Sequence, residues 1–354
     1  MIGVVITVYN SADVLIECVE SLLAATGTQM RLVLVDNDSP DDSIDRLKAW
    51  AAGASDHVPD PASPLGPRQS PPRPVALDDL SAAEATADTG TPLAPITILR
   101  APCNLGYAGA VNLGLSVLAP RPEITLMWVL NPDCVVPATT PAALLEAQAA
   151  AEPFSLMSSR IVYYGTPDRI HADGGRVRAL SGICESVNRD ALAAETPLPD
   201  SASLDFVIGA NMVVSRDFLA RTGPMREDYF LYYEEVDWAL RRGDLPLALA
   251  QDATIYHHGG TAIGTGRPDE RPSAFANYFN YRNRMRYMRR FHPARLPLAY
   301  GLNLARIGKS VRRDDAAQLG GALRGLHGLA PPEAVAQRVG SQAAGLAFGP
   351  MERG

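Results

Sequence analysis

Residues 2–8 read Ile-Gly-Val-Val-Ile-Thr-Val, an almost entirely apolar run that is rich in β-branched side chains. A short run of this kind, without polar alternation, is typical of a strand buried on both faces of a parallel sheet. Residues 9–11 then form a turn and a helix cap, and apolar side chains recur at helical spacing from Val14 to Leu23. A second buried strand follows at residues 32–35. This β-α-β order with short links predicts a doubly wound α/β fold with a mainly parallel sheet.

Polar side chains cluster where these two strands end. Thr7 to Asn10 close the first strand, and Asp36-Asn37-Asp38-Ser39 closes the second. In open parallel sheets, ligands bind just outside the carboxyl ends of the strands. The two clusters therefore predict a ligand site at this end of the sheet.

Two later strands are expected at residues 96–99 and 126–130, and the second of them ends in Asn131-Pro132-Asp133-Cys134. An acid at the end of a central strand is poorly explained by packing. Its carboxylate oxygens are suited to a divalent cation. The alternative interpretation is a turn Asp that caps the next segment.

A glycine-rich segment lies between these strands. Residues 104–114 read Asn-Leu-Gly-Tyr-Ala-Gly-Ala-Val-Asn-Leu-Gly and open a helix. Glycines let the backbone approach a ligand closely, and the start of a helix favours phosphate. Packing against the sheet also selects small residues, so both interpretations stay open. The spacing is not the dinucleotide fingerprint, which argues against a nicotinamide cofactor.

The densest group of acids lies in residues 229–241, Tyr-Phe-Leu-Tyr-Tyr-Glu-Glu-Val-Asp-Trp-Ala-Leu-Arg. Glu234, Glu235 and Asp237 stand among aromatic and apolar residues, so they are expected to be crowded and half-buried. Burial and mutual repulsion raise the pKa of a carboxyl group, as a general base at neutral pH requires. The alternative is a helix N-terminus at which acids complement the helix dipole.

The second half of the chain has more strand-like segments, at residues 159–164 and 206–214, so a mixed arrangement is expected there. Residues 253–260 read Ala-Thr-Ile-Tyr-His-His-Gly-Gly and place His257 at a strand end beside two glycines. A histidine in this position is a candidate ligand of a metal or a phosphate. A structural histidine is the alternative.

Composition narrows the class of protein. The chain has 354 residues, 47% of them hydrophobic, which is enough for a large α/β domain. The net charge of −7 argues against general nucleic-acid binding. No apolar run reaches the length of a membrane span, and the N-terminus has no signal-peptide pattern. Four scattered cysteines fit a cytoplasmic protein with reduced thiols.

Two segments differ in composition from the rest of the chain. Residues 52–94 are rich in Ala, Pro, Asp, Ser and Thr, which predicts a mostly disordered surface insertion; a loosely ordered loop with a short helix is the alternative. Residues 280–313 contain ten Arg or Lys and no Asp or Glu. Together with the apolar residues 296–311, they predict a basic surface that meets anionic lipid or a polyprenyl diphosphate. An arginine-rich helix packed on the main domain is the alternative.

Taken in order, these motifs resemble those of the inverting, family-two nucleotide-sugar glycosyltransferases, in particular the bacterial rhamnosyltransferases. The resemblance spans about residues 2–292. It implies a GT-A fold, with a Rossmann-like, mainly parallel sheet, flanking helices and a mixed half on the acceptor side. The motifs are Val8-Tyr9-Asn10, Val35-Asp36-Asn37-Asp38-Ser39, Asn104-Leu105-Gly106-Tyr107-Ala108, Leu130-Asn131-Pro132-Asp133, Gly209-Ala210-Asn211-Met212, Tyr233-Glu234-Glu235-Val236-Asp237, and His257 with Gly259-Gly260.

The resemblance also implies substrates and residue roles. The donor would be a dTDP-, UDP- or GDP-linked sugar, and the acceptor a glycan or a polyprenyl-diphosphate-linked glycan of the cell surface. Mg²⁺ or Mn²⁺ would bind at Asp133, helped by His257. Glu235 would be the general base, with Glu234 as a close second and Asp237 as the third acid of the cluster. The expected nucleotide-sugar-binding residues are Thr7, Tyr9, Asn10, Asp36, Asn37, Asp38, Asn104, Gly106, Tyr107, Asn131, Gly209 and Asn211.

The implied organisation is a GT-A domain over residues 1–292 and a helical, basic extension over residues 293–354, in a cytoplasmic protein peripheral to the inner membrane. Two other functions stay open. A sugar nucleotidyltransferase would need a glycine- and arginine-rich loop after the first strand, where this chain has Tyr9-Asn10-Ser11. An inactive nucleotide-sugar-binding module is compatible with Asn131-Pro132, because many relatives have further acids there.

Overall fold

The computed structural model describes residues 1–25, 27–68, 70–87, 90–151, 153–259, 271–312 and 314–350. The strands are β1 (Ile2–Val8), β2 (Met30–Asp36), β3 (Leu77–Ser81), β4 (Ile96–Arg100), β5 (Leu126–Leu130), β6 (Cys134–Val135), β7 (Leu156–Tyr163), β8 (Ile170–Ala172), β9 (Gly175–Val177), β10 (Cys184–Ser186), β11 (Asn211–Val214) and β12 (Ala248–His257). The helices are α1 (Leu15–Leu23), α2 (Ser43–Ala51), α3 (Ala82–Ala87), α4 (Gly106–Leu118), α5 (Thr140–Ala151), α6 (Arg216–Thr222), α7 (Glu234–Leu240), α8 (Ala274–Phe291), α9 (Leu296–Ser310), α10 (Ala316–His327), α11 (Glu333–Val339) and α12 (Ala344–Phe348).

One large sheet organises the molecule, with its strands in the order β3-β4-β2-β1-β5-β11-β7-β12-β6 and β8 paired to β7. The first five of these strands are mutually parallel. β11 enters antiparallel between β5 and β7, and β6 is antiparallel to β12. The predicted α/β fold, with a mainly parallel sheet and a mixed second half, is therefore confirmed.

The central strands are buried on both faces. Val4 and Ile6 of β1 belong to the core that α1, α2 and α5 cover, whereas Val5 belongs to the core on the opposite face, under α4. Full burial of one such side chain stabilises the fold by roughly 1.5–3 kcal/mol. Because helices cover both faces, neither set of alternating side chains meets water, and the strand sequence shows no polar alternation.

The segment of residues 52–94 is not a disordered insertion in its described part, which corrects the prediction. β3 lies within this segment and pairs in parallel with β4, from Leu77 opposite Ile96 to Ser81 opposite Arg100. Arg100 also forms an ion pair with Asp79 of β3. The low apolar content was misleading because β-ladder hydrogen bonds and ion pairs hold the segment to the sheet together with a few buried apolar side chains, such as Ala85 and Leu93.

Two buried acids of α1 fix the beginning of the same segment. Glu17 forms an ion pair with Arg68 at 2.8 Å. Glu20 accepts a hydrogen bond from the Trp50 indole at 2.9 Å and lies 2.8 Å from His57 Nδ1. Burial alone would raise the pKa of Glu20, but its hydrogen bonds, the largest effect coming from His57, lower it overall. Leaving either carboxylate buried without its partners would cost several kcal/mol, so the segment has a defined position over α1.

The predicted membrane contact is wrong for the first arginines of the basic segment. Arg282 and Arg284 of α8 are only 4% and 8% exposed. Arg282 donates to the carbonyl oxygen of Tyr229 at 2.9 Å, and Arg284 donates to the hydroxyl of Tyr233 at 2.8 Å. Both therefore hold the loop in front of α7, which is the packing role that the alternative interpretation describes. The domain boundary at residue 292 stays a prediction.

Two sequence expectations concern the membrane and the thiols. None of the described helices has the length and the apolarity that crossing a bilayer requires. Cys18, Cys103, Cys134 and Cys184 are all free thiols, as expected. Burial raises the pKa of Cys18 and Cys134, so both stay protonated at neutral pH.

Candidate active site

A cleft that is partly open to solvent lies outside the carboxyl ends of β1, β2 and β5. Its floor consists of residues at these strand ends, where the sequence predicted a ligand site. Its walls come from the start of α4, the loop before α7, and the helices α8 and α11. The lining residues are Thr7, Tyr9, Asn37, Asn104, Gly106, Tyr107, Asn131, Pro132, Asp133, Phe230, Leu231, Phe275 and Arg338.

Asn37 joins two of the predicted binding segments. Its amide nitrogen donates to Asn104 Oδ1 at 3.1 Å and to the carbonyl oxygen of Gly106 at 3.2 Å. Its amide oxygen accepts from the backbone N–H of Leu105 at 2.8 Å. These three bonds use much of the side chain's capacity, so Asn37 shapes the cleft by holding the start of α4 against the end of β2.

Five of the predicted binding residues are not among those that line the cleft: Asn10, Asp36, Asp38, Gly209 and Asn211. Asp36 is 8% exposed, forms an ion pair with Arg100 at 2.5 Å, and accepts from the backbone N–H of Ser39 at 3.1 Å. Asn10 and Asp38 are exposed, left-handed turn residues with φ of 53° and 59°. The Asp36 carboxylate thus stabilises the strand end, and contact of Asn10, Asp36 and Asp38 with a nucleotide stays a prediction.

The prediction for Asn211 is wrong. This residue of β11 is completely buried, with its amide oxygen 2.8 Å from the Trp128 indole nitrogen and its amide nitrogen 2.8 Å from Ser159 Oγ. It satisfies polar groups between strands and does not face the cleft. Gly209, two residues earlier, does approach the cleft, because its carbonyl oxygen accepts from the Tyr107 hydroxyl at 2.5 Å.

Gly106 joins the glycine-rich segment to the loop that carries the acids. Its φ is +71°, and a Cβ at this position would lie 2.3 Å from the carbonyl oxygen of Phe230. The next residue, Tyr107, donates its backbone N–H to the same oxygen at 2.8 Å. Glycine is required here for contact between two parts of the protein, and this packing explains the residue without reference to a phosphate.

The loop before α7 has an unusual backbone. Phe230, Tyr232 and Tyr233 have φ between 65° and 75°, a conformation that costs non-glycine residues roughly 1–3 kcal/mol each. Asn283 of α8, which is completely buried, offsets this backbone cost with hydrogen bonds. Its amide nitrogen lies 2.6–3.0 Å from the carbonyl oxygens of Tyr229, Leu231 and Tyr232. α8 therefore fixes where α7 begins, and with it the position of the acids.

Glu234 and Glu235 open α7 and differ in their environments. Glu234 is 2% exposed, and its Oε2 has no hydrogen-bond partner in the described part of the chain. Burial, together with the charge of Glu235, raises the pKa of Glu234 well above its ordinary value. Burial raises the pKa of Glu235 to about 7, although nearby backbone N–H groups oppose the shift. Ionisation of both carboxyl groups together is therefore disfavoured, and Glu235 is the one whose pKa lies near neutral pH.

Tyr107 connects these acids to the cleft. It lines the cleft, and burial followed by the charges of Glu235 and Glu234 raises its pKa well above the ordinary value. The two carboxyl groups therefore lie close to the cleft wall that Tyr107 forms. Neither carboxyl group is among the residues that line the cleft, so Tyr107 stands between them and a molecule bound there.

Asp237 is not a catalytic residue, which corrects the prediction. Its side chain has no exposed surface and forms ion pairs with Arg241 at 2.8 Å and Arg290 at 3.2 Å. It also accepts from the Tyr229 hydroxyl at 3.1 Å. Both carboxylate oxygens are thus used inside the protein, and no acceptor hydroxyl could reach them. Asp237 secures α7 to the neighbouring elements.

Asp133 and His257 come together as predicted, with Asp133 Oδ1 3.1 Å from His257 Nε2. The two residues follow β5 and end β12, and Cys134 is the third member of a group whose donor atoms lie within 4.8 Å of one another. Burial raises the pKa of the Cys134 thiol, and Sγ is 3.5 Å from the carbonyl oxygen of Ala210. Mg²⁺ and Mn²⁺ prefer oxygen and imidazole donors to a thiol, so among the described residues Asp133 and His257 are the ligands that fit such a cation, with phosphate oxygens and water completing its shell.

Sequence reasoning missed His171, Phe275 and Arg338. His171 Nδ1 lies 3.0 Å from His257 Nδ1, and their rings stack with centres 5.0 Å apart. Burial, then the neighbouring His257 and Arg189, lower the pKa of His171 to about 3, so the ring is neutral. A neutral partner on Nδ1 orients a histidine whose Nε2 faces a metal. The chain places these residues far from the motifs, and no local pattern marks them. Gly260 of the histidine motif lies outside the described residues.

The comparison with protein families bears on the first part of the cleft. Residues 3–58 match the sequence model of the family described as Glycosyl transferase family 2. This match covers β1, α1, β2 and α2, and so includes Thr7, Tyr9 and Asn37. No curated protein sequence matches the chain.

Solved structures show the fold. S. aureus TarS 1-349 in complex with UDP-GlcNAc matches with a TM-score of 0.50 and 12% identity, over 98% of this chain and 83% of that one. S. aureus TarS matches with a TM-score of 0.49 and 11% identity, over 98% of this chain and 50% of that one. GalNAc-T7 with UDP, GalNAc and Mn²⁺ matches with a TM-score of 0.46 and 14% identity, over 72% of this chain and 43% of that one. The chain thus spans half or less of the last two proteins. The likeness to TarS 1-349 identifies the fold as that of GT-A glycosyltransferases.

Proposed function

We propose that the protein is an inverting nucleotide-sugar glycosyltransferase, which moves a sugar from a nucleoside diphosphate to an acceptor hydroxyl. One observation carries the proposal. Asp133, which is paired with His257, and the polar strand ends line one cleft, and the carboxyl pair Glu234 and Glu235 lies behind its lining residue Tyr107, close enough for their charges to act on that tyrosine. The match of residues 3–58 to Glycosyl transferase family 2 supports it.

Donor binding is assigned to the strand-end side of the cleft. Thr7 and Tyr9 would contact the nucleoside, and Asn104 and Asn131 offer side-chain amides to its sugars. Asp133 and His257 would hold Mg²⁺ or Mn²⁺ beside the donor diphosphate. The cation, when bound, would stabilise the negative charge that develops on the leaving nucleoside diphosphate.

Proton transfer is assigned to Glu235. Its carboxylate would take the proton of the acceptor hydroxyl while that oxygen attacks the anomeric carbon, and the bond to the nucleoside diphosphate breaks. Attack on the face opposite to the leaving group inverts the configuration in one displacement. Because burial and the charge of Glu235 raise the pKa of Glu234, a second negative charge beside the Glu235 carboxylate is disfavoured.

The acceptor and the sugar follow from the motif resemblance. A dTDP-, UDP- or GDP-linked sugar, transferred to a glycan or a polyprenyl-diphosphate-linked glycan in cell-surface polysaccharide synthesis, agrees with the rhamnosyltransferase-like motifs. UDP-GlcNAc is the ligand in the TarS complex, which makes UDP-sugars the first donors to test.

We expect donor binding to raise the melting temperature of the protein. Mixed with Mn²⁺ and a panel of UDP-, dTDP- and GDP-sugars, the protein should melt at a higher temperature with one nucleotide class, because a ligand that binds only the folded state stabilises it. Matched samples with EDTA should lose the shift. If no nucleotide sugar shifts the melting temperature at millimolar concentration, the proposed function is wrong.

The membrane surface is assigned to α9 rather than α8. α9 buries Ala299, Asn303 and Ile307 on one face. On the other it exposes Leu298 by 49% and Leu302 by 43%. Exposed basic residues follow in the same region, at positions 306, 309 and 312. Apolar side chains flanked by positive charges fit the surface of an anionic bilayer, and so a cytoplasmic, peripheral location.

Replacement of Leu298 and Leu302 by Glu should reduce binding to phosphatidylglycerol vesicles by about 10-fold or more, because the apolar contact is lost and like charges are introduced. Co-sedimentation with the vesicles measures this. Leu180→Glu, which changes a leucine that is 54% exposed elsewhere, is the matched control. Wild-type protein that stays in solution with such vesicles at low salt would contradict the assignment.

A further inference from the structure

A second cavity, separate from the cleft, lies between α8, the C-terminal end of α10 and the end of α12. Its volume is about 1120 Å³, and it shares no described lining residue with the cleft. Four of its lining residues are arginines of α8, Arg282, Arg286, Arg289 and Arg290, and none of those that the structure describes is an Asp or a Glu. The described wall of this cavity therefore carries charge of one sign.

Two of these arginines, Arg282 and Arg286, have only uncharged hydrogen-bond acceptors among the described residues. Arg282 donates to the carbonyl oxygen of Tyr229 at 2.9 Å. Arg286 donates to the carbonyl oxygens of Asp228 at 2.5 Å and Gly349 at 2.7 Å. Carbonyl oxygens satisfy the N–H groups and leave the positive charge uncompensated.

The carboxylates nearest to the cavity already have cationic partners. Asp237 pairs with Arg290 at 3.2 Å and with Arg241 at 2.8 Å. The Asp228 carboxylate pairs with Arg226 at 2.5 Å. Of the four arginines in the wall, Arg290 is therefore the one that forms an ion pair within the described part of the chain.

Arg289 has neither a hydrogen bond nor an ion pair with any described residue, and its side chain is exposed. It also adds to the crowding of positive charge. Burial, followed by the charge of Arg286, lowers the pKa of Arg282 to about 9. Burial lowers the pKa of Arg286 against the opposing charge of Asp228, and the charge of Arg289 lowers it further. Like charges held together without counter-charges destabilise the folded state, and a bound anion would relieve this cost.

We propose that this cavity binds the phosphate groups of an anionic ligand, with Arg289 as the main contact and Arg286 as the second. Guanidinium groups offer paired, charged donors in one plane that match phosphate oxygens, and a cavity of one sign concentrates counter-ions. Its volume leaves room for several linked phosphate groups. The inference does not depend on the proposed function, because the ligand lies outside the cleft.

The test is calorimetric titration of inorganic tripolyphosphate into wild-type protein, Arg289→Gln and Arg289→Lys. Physiological ionic strength screens diffuse charge effects, and omission of divalent cations excludes metal-dependent binding in the cleft. Arg289→Gln should bind about 10-fold or more weakly, as for loss of a charge-assisted hydrogen bond, and Arg289→Lys should recover part of the loss. Arg295→Gln, the same change at an exposed arginine of the basic segment outside the cavity, is the matched control and should bind as the wild type does.

A second arm distinguishes two sources of phosphate, a soluble compound and a lipid headgroup. Co-sedimentation with phosphatidylglycerol vesicles compares the wild type with Arg289→Gln. If the variant binds the vesicles more weakly and tripolyphosphate displaces the wild type from them, the lipid headgroup is the ligand. If vesicle binding is the same in both proteins, the ligand is a soluble phosphate compound.

Two results would overturn the proposal. One is wild-type protein that binds no tripolyphosphate at millimolar concentration. The other is an equal loss of affinity in Arg289→Gln and Arg295→Gln, because it would show that net charge, rather than this cavity, attracts the anion. Melting curves establish that the variants are folded, which is expected because both side chains are exposed.

Discussion

Glu235→Gln is expected to keep donor binding and to lose about 10²–10⁴-fold of the transfer rate, the usual effect of removing a general base. The substitution preserves the shape of the side chain and removes only its capacity to accept the proton. Because burial raises the pKa of Glu235 to about 7, the wild-type kcat/KM should rise with pH below 7 and level off above it. Glu235→Gln should lack this limb of the profile.

Glu234→Gln is the matched control, since it makes the same change at the neighbouring position. Burial and the charge of Glu235 raise the pKa of Glu234 and so favour its neutral form, which a glutamine imitates, and most of the transfer activity should therefore remain. The opposite pattern, with Glu235→Gln active and Glu234→Gln inactive, would move the base to Glu234. Full activity in both variants would make the acid pair structural and would favour a different mechanism.

Asp133→Ala is expected to abolish metal-dependent donor binding, with a loss of more than about 100-fold in the affinity for a nucleoside diphosphate with Mn²⁺. The reason is that, within the described part of the chain, Asp133 supplies the carboxylate that lies beside His257. Titration of Mn²⁺ followed by electron paramagnetic resonance gives a second readout, which does not depend on activity or on the nucleotide.

Cys134→Ser tests the assignment of ligands beside it. Mn²⁺ prefers oxygen donors to a thiol, so serine in place of Cys134 should leave the Mn²⁺ affinity within a few-fold of wild type. An unchanged affinity in Asp133→Ala, or a large loss in Cys134→Ser, would show that the cation is held in another way.

The sheet was predictable because its central strands carry a purely local signal. Residues 2–8 and 126–130 are buried on both faces, so the requirement for apolar side chains applies at nearly every position. The insertion was not predictable in the same way. Its position depends on Glu17 and Glu20, which lie in α1 and find partners such as Arg68 and His57 many residues away.

The acid cluster shows a further limit of prediction from the sequence. Glu234, Glu235 and Asp237 look alike in the sequence, yet only the first two lie near the cleft. Arg241, four residues after Asp237 and therefore on the same helix face, was a readable sign that this acid is paired. Arg338 carried no such sign, because its place in the cleft depends on how α11 packs across Tyr9.

The most direct test of the account is ¹H NMR observation of a preferred nucleotide sugar, mixed with the protein and Mn²⁺ and with a simple hydroxyl acceptor such as a short-chain alcohol or an alkyl glycoside. The proposed mechanism predicts that cleavage of the sugar–diphosphate bond requires the cation and is lost in Glu235→Gln. The first-formed product should have the anomeric configuration opposite to that of the donor. A product that retains the donor configuration, or cleavage at an undiminished rate in Glu235→Gln, would contradict it.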